Sequence, residues 1–484
     1  MNQFEHSPLL QQIAQNSQKY ASKPAIIMNG QSITYSELFV NIRKAAGVMK
    51  QMGFKAGDRI ILSAHKDLEY LYLYFASHIL GIINVIVDSE SNEERLQYIE
   101  ERIQPVCCFG YKSKKFNSKL FSELNIDEGY EIESTCDILH RTSIAEILFT
   151  TGTTGLPKGV CLSYYNIYSS AENINGYIGN SAEDVELLAL PICHSFGMGR
   201  IRCALIKGST IVILNNFANI RAFLKAFELY HITGFGLVPA AWAYIRKMSG
   251  MRIAKYAKQI HYIEIGSASM SLDTKKELLN LFPDTRICMH YGLTEASRCC
   301  FQEFHDTKHL DSIGKPVSSL VDIKVMDEHG NELPVNSKGE LCVKGNMVFS
   351  HYLEECDTKN AFYNEYFRTG DCGYKNSEGY FYLLGREKEL INVGGKKVSP
   401  MEVEDAIISL GVGDCVCVPI KDETNFMGEL VFCYVLKGST SLTFEEIAEK
   451  LKSKLEVYKR PVAYAWIDKI PITSSGKKQR IQIK

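Results

Sequence analysis

Between Asp58 and Phe109 short apolar runs alternate with helical patterns, and this alternation constrains the fold more than any other feature of the chain. Asp58-Arg59-Ile60-Ile61-Leu62 reads as a buried strand, a helix follows to about Leu80, and Ile82 to Val87 reads as the next strand. Glu93 to Ile103 has helical spacing, and Pro105-Val106-Cys107-Cys108-Phe109 is a further short strand. A strand that is apolar on both faces has no side to turn to water, so such strands belong to a parallel sheet covered by helices. Beyond residue 158 the same rhythm returns. Tyr164 to Tyr177 is helical, Val185 to Pro191 a strand, Cys193 to Ile206 helical, Ser209 to Leu214 a strand, Ile220 to Tyr230 a helix and Thr233 to Val238 a strand. Pro239 opens a helix through Met248, and His261 to Ile265 is a strand that ends in Gly266-Ser267-Ala268. Small residues at a strand's carboxyl end leave room for a ligand at that edge of the sheet.

The flanks differ in texture. Ile33-Thr34-Tyr35 is β-prone, Ser36 can cap, and Leu38, Ile42, Ala45, Ala46 and Met49 recur at helical spacing until Gly53 stops the helix. From about Ile313 the pieces become shorter and β-type, with turn signals at Asp327 to Asn331 and Asn336 to Gly339, which predicts a smaller sheet or barrel. Charges cluster at Gly385-Arg386-Glu387-Lys388-Glu389, where a domain boundary is expected. Beyond it, strands near Cys415 to Pro419 and Glu429 to Leu436 and a helix from Phe444 to Leu455 predict a small α+β unit.

With 484 residues the chain is too long for one compact core. Its apolar content of 45%, charged content of 23% and formal net charge of -2 exert no pull toward nucleic acid or an anionic membrane, so small-molecule chemistry is the default. The fifteen cysteines include the adjacent pairs Cys107-Cys108 and Cys299-Cys300 but no Cys-x-x-Cys spacing, which fits reduced, mostly buried thiols in the cytoplasm. Met1 to Tyr20 lacks the continuous apolar stretch of a signal peptide. Tyr70 to Val87 carries no formal charge, yet Ser77, His78, Gly81 and Asn84 interrupt it, so buried core is expected there rather than a membrane span.

Chemistry concentrates in five loops. The apolar run Ile144 to Phe149 delivers the chain into Thr150-Thr151-Gly152-Thr153-Thr154-Gly155-Leu156-Pro157-Lys158-Gly159. Glycines let backbone N–H groups approach phosphate oxygens, threonine hydroxyls add donors, and the lysine adds a charge, which is what a triphosphate needs. This is not the common P-loop, because Pro157 stands where that pattern requires its second glycine. Tyr291-Gly292-Leu293-Thr294-Glu295, after the strand Arg286 to His290, offers a ring to stack on a purine, a hydroxyl for a phosphate and a carboxylate for Mg²⁺. In Tyr366-Phe367-Arg368-Thr369-Gly370-Asp371 an acidic residue after a tight turn can accept hydrogen bonds from both ribose hydroxyls. The fourth group is Gly385-Arg386 with Gly394-Gly395 and Pro400-Met401-Glu402-Val403-Glu404. The fifth is Pro471-Ile472-Thr473-Ser474-Ser475-Gly476-Lys477 with Arg480.

In this order and spacing the five motifs resemble the adenylate-forming superfamily, which contains acyl-CoA synthetases, firefly-type luciferases and peptide-synthetase adenylation domains. The resemblance runs from Ile33-Thr34-Tyr35 to Lys477. It implies an α/β fold: a large N-terminal domain, residues 1–387, of stacked, largely parallel sheets with helices plus a small β subdomain, then a small mobile α+β domain, residues 388–484. The implied cofactors are ATP, Mg²⁺ and CoA, or the phosphopantetheine of a carrier protein. By position, Thr150, Thr151, Gly152, Thr153, Thr154 and Lys158 correspond to the family's phosphate loop. Gly266, Ser267, Ala268 and Tyr291 correspond to its adenine site, Gly292 to a further cofactor-binding position, Thr294 to a phosphate contact and Glu295 to the Mg²⁺ ligand. Asp371 and Arg386 match the ribose-holding pair, Lys388 the hinge, and Lys477 the lysine that catalyses adenylation. Gly394 and Gly395 suit a face that a pantetheine arm slides past.

The implied reaction is activation of a carboxylic acid to an acyl adenylate and its transfer to a thiol, with CoA as the first expectation and a carrier protein as the alternative. Pro191-Ile192-Cys193-His194-Ser195-Phe196-Gly197-Met198 resembles the acyl and aryl members and lacks the aspartate that binds an α-amino group, so His194 is expected to line the acyl site. Arg298, three residues past Glu295, raises the expectation of a small or polar acid. Trp242 is a candidate wall of the same pocket.

Overall fold

The computed structural model describes residues 4–133, 139–151, 157–421, 428–472, 478–480 and 483, with nothing said of the side chains of Thr151, Glu387 and Lys397. Two large sheets organise the first 300 residues or so. One runs in the order His351–Tyr352, Pro157–Ser163, Ile144–Thr151, Ile83–Val87, Arg59–Ser63, Cys107–Phe109, Ser118–Lys119. The other runs Cys300–Glu303, Arg286–Tyr291, Tyr262–Ile265, Gly234–Leu237, Val185–Leu188, Thr210–Ile213, Pro24–Met28, Gln31–Thr34. The central pairings of both are parallel, as the apolar strands require, and the antiparallel pairings fall toward the ends.

Strand alternation deals side chains into separate cores. Ile60, Leu62, Ile86 and Leu148 of the first sheet and Leu188, Ile211, Ile213 and Tyr262 of the second share one apolar cluster with the helices Pro8–Lys19, Tyr35–Gln51, Leu68–Leu80, Tyr164–Ile178 and Ser195–Lys207. The intervening residues turn outward. Ile61, Val85 and Ile147 meet the helix Glu93–Ile103, while Leu187, Val212 and Ile263 meet Ile220–Tyr230, Pro239–Ser249 and Leu272–Leu281. The layers therefore stack helix, sheet, helix, sheet, helix.

The helix Ser195–Lys207 is clamped between the sheets by buried ion pairs. Residues two apart on a helix point about 200° apart. Arg200 accordingly reaches Glu186 at 2.6 Å and Glu264 at 3.2 Å in the second sheet, whereas Arg202 pairs with Glu146 of the first and donates to the Tyr74 hydroxyl at 2.7 Å. Tyr70 to Val87 splits as expected into the helix Leu68–Leu80 and the strand Ile83–Val87, with Gly81 ending the helix in the left-handed region. Among the described residues no helix is long and apolar enough to cross a membrane. One cap moves: Thr34, not Ser36, caps Tyr35–Gln51, because its hydroxyl accepts from Glu37 N–H while the Glu37 carboxylate accepts from Thr34 N–H.

The β-rich stretch forms a five-stranded antiparallel sheet of Val321–Met326, Gly339–Gly345, Tyr366–Lys375, Phe362–Tyr363 and Phe381–Arg386. A separate apolar core then begins at Ile391, built from the hairpin Ile391–Val393 and Lys396–Val398, the helices Pro400–Ile408 and Phe444–Leu451, and the strands Cys415–Lys421 and Glu429–Leu436. Gly394 and Gly395, at φ 56° and 82°, form the two-residue turn of that hairpin, a turn that needs two left-handed residues.

Candidate active site

Asp371 draws together three motifs that lie far apart in the chain. It sits in the strand Tyr366–Lys375, opposite Arg386 of Phe381–Arg386, and the antiparallel register Asp371 to Arg386 sets their side chains side by side. Arg386 Nε lies 2.7 Å from Asp371 Oδ1, and Arg386 also donates to the Thr369 carbonyl at 3.0 Å. The Tyr291 hydroxyl, from the end of Arg286–Tyr291, donates to Asp371 Oδ2 at 2.6 Å across 80 residues of sequence. Burial pushes the Tyr291 phenol well above its usual range and the Asp371 carboxylate adds to the effect, so Tyr291 remains a donor. Burial opposes the charge on Arg386, but Asp371, Tyr291 and Glu295 outweigh it and hold the guanidinium ionised.

A second group is continuous with the first. Glu295, nearly buried, accepts a 2.9 Å hydrogen bond from the Tyr352 hydroxyl. The Tyr352 ring lies 5.3 Å beneath Lys158 Nζ, and Lys158 pairs with Asp357 Oδ1 at 2.8 Å. Lys158 stands on the returning arm of a hairpin, Thr150 facing Lys158 and Thr151 facing Pro157. The helix Glu93–Ile103 holds both arms: Arg95 donates to the Phe149 carbonyl at 3.1 Å, and Tyr98, one turn along, donates to the Pro157 carbonyl at 3.0 Å. The hairpin tip, with Gly152, Thr153 and Thr154, lies outside the described residues, as does Lys477. Tyr352 and Asp357 carried no signal in the sequence, since neither belongs to a motif and their partners lie 57 and 199 residues away.

Gly266, Ser267 and Ala268 follow the strand Tyr262–Ile265 as expected, with a structural reason beside the ligand one. A Cβ at position 266 would stand 2.1 Å from the His290 ring, so the neighbouring strand forbids any side chain there. Ser267 is held at φ 73°, a left-handed position that an L-residue adopts at a cost. Thr294 lies in the loop closed by the reciprocal backbone bonds of Leu293 and Ala296, which Gly292 directly precedes. His194 is the residue just before Ser195–Lys207 rather than part of a helix beginning at Cys193. It meets Asp88 and Cys193, with ligand atoms of all three within 4.8 Å of one another. Burial and the Asp88 carboxylate push the Cys193 thiol up and keep it protonated. Lys388 lies exposed in the short turn Glu387–Glu389.

The two specificity candidates are both buried. Arg298 is buried, its Nε 3.2 Å from Glu264 Oε1 and its Nη atoms donating to Ser195 O, Phe196 O and Ser297 Oγ, so its guanidinium is engaged by the protein itself. Trp242 packs in the outer core, edge-on to Phe282.

Residues 13–353 match the family model described as AMP-binding enzyme, and residues 402–477 match the AMP-binding enzyme C-terminal domain. The chain belongs to the AMP-binding enzyme family. Among the relatives of this AMP-binding enzyme, 4-coumarate–CoA ligase 2 of Nicotiana tabacum is 26% identical across 98% of this chain and 93% of its own. The 2-succinylbenzoate–CoA ligase of Bacillus licheniformis is also 26% identical, across 97% and 98%. Among solved structures, ATP-bound MatB from Rhodopseudomonas palustris superposes with a TM-score of 0.89 at 25% identity, covering 100% of this chain and 98% of that one. The o-succinylbenzoate CoA synthetase of Bacillus subtilis in complex with its acyl-adenylate intermediate shares the fold, with a TM-score of 0.88 at 24% identity over 98% and 97%. The two matched ranges of the AMP-binding enzyme hold the Thr150 to Lys158 stretch and Lys477, and the Asp371–Arg386 pair falls in the stretch between them.

Proposed function

We propose that this AMP-binding enzyme is an acyl-CoA synthetase: it activates a small carboxylic acid with ATP, releasing pyrophosphate, and passes the acyl group to the thiol of CoA, releasing AMP. The observation that supports this most directly is the convergence of Tyr291 and Arg386 on the Asp371 carboxylate, with Glu295 in the same field. A carboxylate has about four lone-pair sites, and Tyr291 and Arg386 use one on each oxygen of Asp371, leaving sites for the two ribose hydroxyls.

The roles follow from the chemistry. A carboxylate is a poor electrophile because its leaving group would be oxide. Attack of its oxygen on the α-phosphorus expels pyrophosphate and makes an acyl phosphate anhydride, and the thiol then displaces AMP from that carbonyl. Thr150, Thr151, Gly152, Thr153, Thr154 and Lys158 hold the departing pyrophosphate, Thr294 contacts phosphate, and Lys477 stabilises charge at the carbonyl and α-phosphate. Gly266, Ser267, Ala268, Tyr291 and Gly292 frame the adenine. Glu295 is the residue that would hold Mg²⁺, a hard cation suited to one carboxylate plus phosphate oxygens, which neutralises phosphate charge when bound. His194, with Asp88 and Cys193, walls the acyl site. The domain boundary lies at residues 387 and 388, and rotation about Lys388 withdraws Lys477 for the thiol step while Gly394 and Gly395 line the path of the pantetheine arm.

ATP–pyrophosphate exchange across short, branched, aromatic and dicarboxylic acids, followed by product formation with CoA or a holo carrier protein, tests this reading. Exchange with at least one acid and efficient CoA thioester formation is the expected result. Absence of exchange with every acid would overturn adenylation, and a large preference for the carrier would replace CoA as acceptor.

A further inference from the structure

One buried carboxylate gathers the end of the chain. Glu404 lies on the inner face of the helix Pro400–Ile408, its side chain 5% exposed. Its Oε1 accepts from Cys417 N–H at 2.8 Å and from Arg480 Nη2 at 2.9 Å. Its Oε2 accepts from Arg480 Nη2 at 2.9 Å and Lys478 Nζ at 3.1 Å. Lys478 and Arg480, two residues apart in an arm that bridges back through Lys478 to Ile472 and through Gln479 N–H to the Pro471 carbonyl, thus end on the same group. Arg480 continues through Nη1 to Glu389 Oε2 at 2.9 Å, the residue after Lys388. Lys478 continues to Asp414 at 2.8 Å and to the Cys415 carbonyl at 2.5 Å.

We propose that Glu404 is the positioning residue for Lys477, fixing the register of the arm that carries it against both the small-domain core and the hinge turn. The inference rests on the reading of Lys477 as the adenylation lysine. Lys478 is bonded directly to Lys477, so whatever fixes Lys478 and Arg480 also constrains the chain that carries the lysine. Misplacement on that scale is costly for a group that must meet charge developing in the transition state. Glu404 touches no substrate in this scheme. Its loss changes where Lys477 stands, not what Lys477 is.

A double-mutant cycle on the full chain decides the matter, using the acid that gives the fastest exchange and its acyl adenylate. Glu404→Gln keeps shape and removes charge, while Asp414, Cys415 and Glu389 still tie Lys478 and Arg480. The exchange rate constant is expected to fall 10- to 100-fold, and transfer from preformed acyl adenylate to CoA to stay within 3-fold. Added to Lys477→Ala, the same substitution is expected to cost nothing further. Equal loss in both half-reactions, unchanged exchange, or additive losses in the double variant would overturn the proposal. Should Lys477→Ala alone leave exchange intact, the reading of Lys477 fails instead, whatever Glu404→Gln does. Arg480→Lys, which keeps the charge and loses the forked contact, supplies a second variant with the same expected split if Glu404→Gln fails to fold.

Discussion

The Tyr291 hydroxyl and the Arg386 guanidinium fix both oxygens of Asp371, and at the scale of single residues this is the feature most exposed to test. A hydrogen bond to a charged group is worth about 1.5–3 kcal/mol. Tyr291→Phe removes only the donor and keeps the ring, so the KM for ATP is expected to rise about 10-fold, with a smaller change in kcat. An unchanged KM would mean that Asp371 keeps its orientation without Tyr291. Arg298 behaves differently, because its guanidinium is spent on Glu264 and backbone carbonyls. Arg298→Ala leaves Glu264 with less compensation and is expected to cost about 3–5 kcal/mol of stability while leaving the ranking of acids unchanged. Thermal unfolding read beside a substrate panel separates the two effects, and a re-ordered panel would return Arg298 to the acyl site.

Among the elements, the hairpin of Ile144–Thr151 and Pro157–Ser163 shows how much was legible and how much was not. A strand running into a donor-rich loop was plain from Ile144 to Lys158, and so were Ile220–Tyr230 and Glu93–Ile103, because apolar periodicity is local. The five motifs and their order were legible for the same reason. What escaped was non-local. Arg200 and Arg202 sit in an ordinary helical pattern, and only the stacking of two sheets on one helix makes their buried pairs with Glu186, Glu264 and Glu146 necessary. Asp357, in the short helix Glu355–Thr358, is likewise unreadable as the partner of Lys158 until Pro157–Ser163 pairs with His351–Tyr352 and brings that helix alongside. On the proposed function, Lys158 exchanges this carboxylate for phosphate when ATP binds, sharing that task with the other phosphate-loop residues. Lys158→Ala is therefore expected to slow pyrophosphate exchange less than Lys477→Ala and to act mainly on the KM for ATP. Equal or reversed losses would count against that division of labour.

At the scale of the whole molecule, one buried charge feels carboxylates from both units. Lys275, on the helix Leu272–Leu281 of the large unit, is 4% exposed, donates to the Leu310 carbonyl and lies in the field of Asp311 and of Asp405 from the helix Pro400–Ile408. Burial lowers its ammonium to about 8, with Asp311 and Asp405 opposing the shift. In the unfolded chain a lysine titrates near 10.4, so between about pH 8 and 10.4 the unfolded state binds more protons and stability rises with pH. Below pH 8 both states carry the charge and the folded protein bears the full cost of burying it. Lys275→Met keeps the length of the side chain and removes the charge at the loss of one hydrogen bond. It is expected to stabilise by about 1–2 kcal/mol at pH 7, after that bond is subtracted, and to lose the advantage as the pH is raised toward 10. Denaturant midpoints for both proteins at pH 7 and pH 10 measure the difference. An advantage that grew with pH would mean that Lys275 is stabilised as a cation by Asp405 and Asp311. The two units would then be held together at this point by attraction rather than by packing around a reluctant charge.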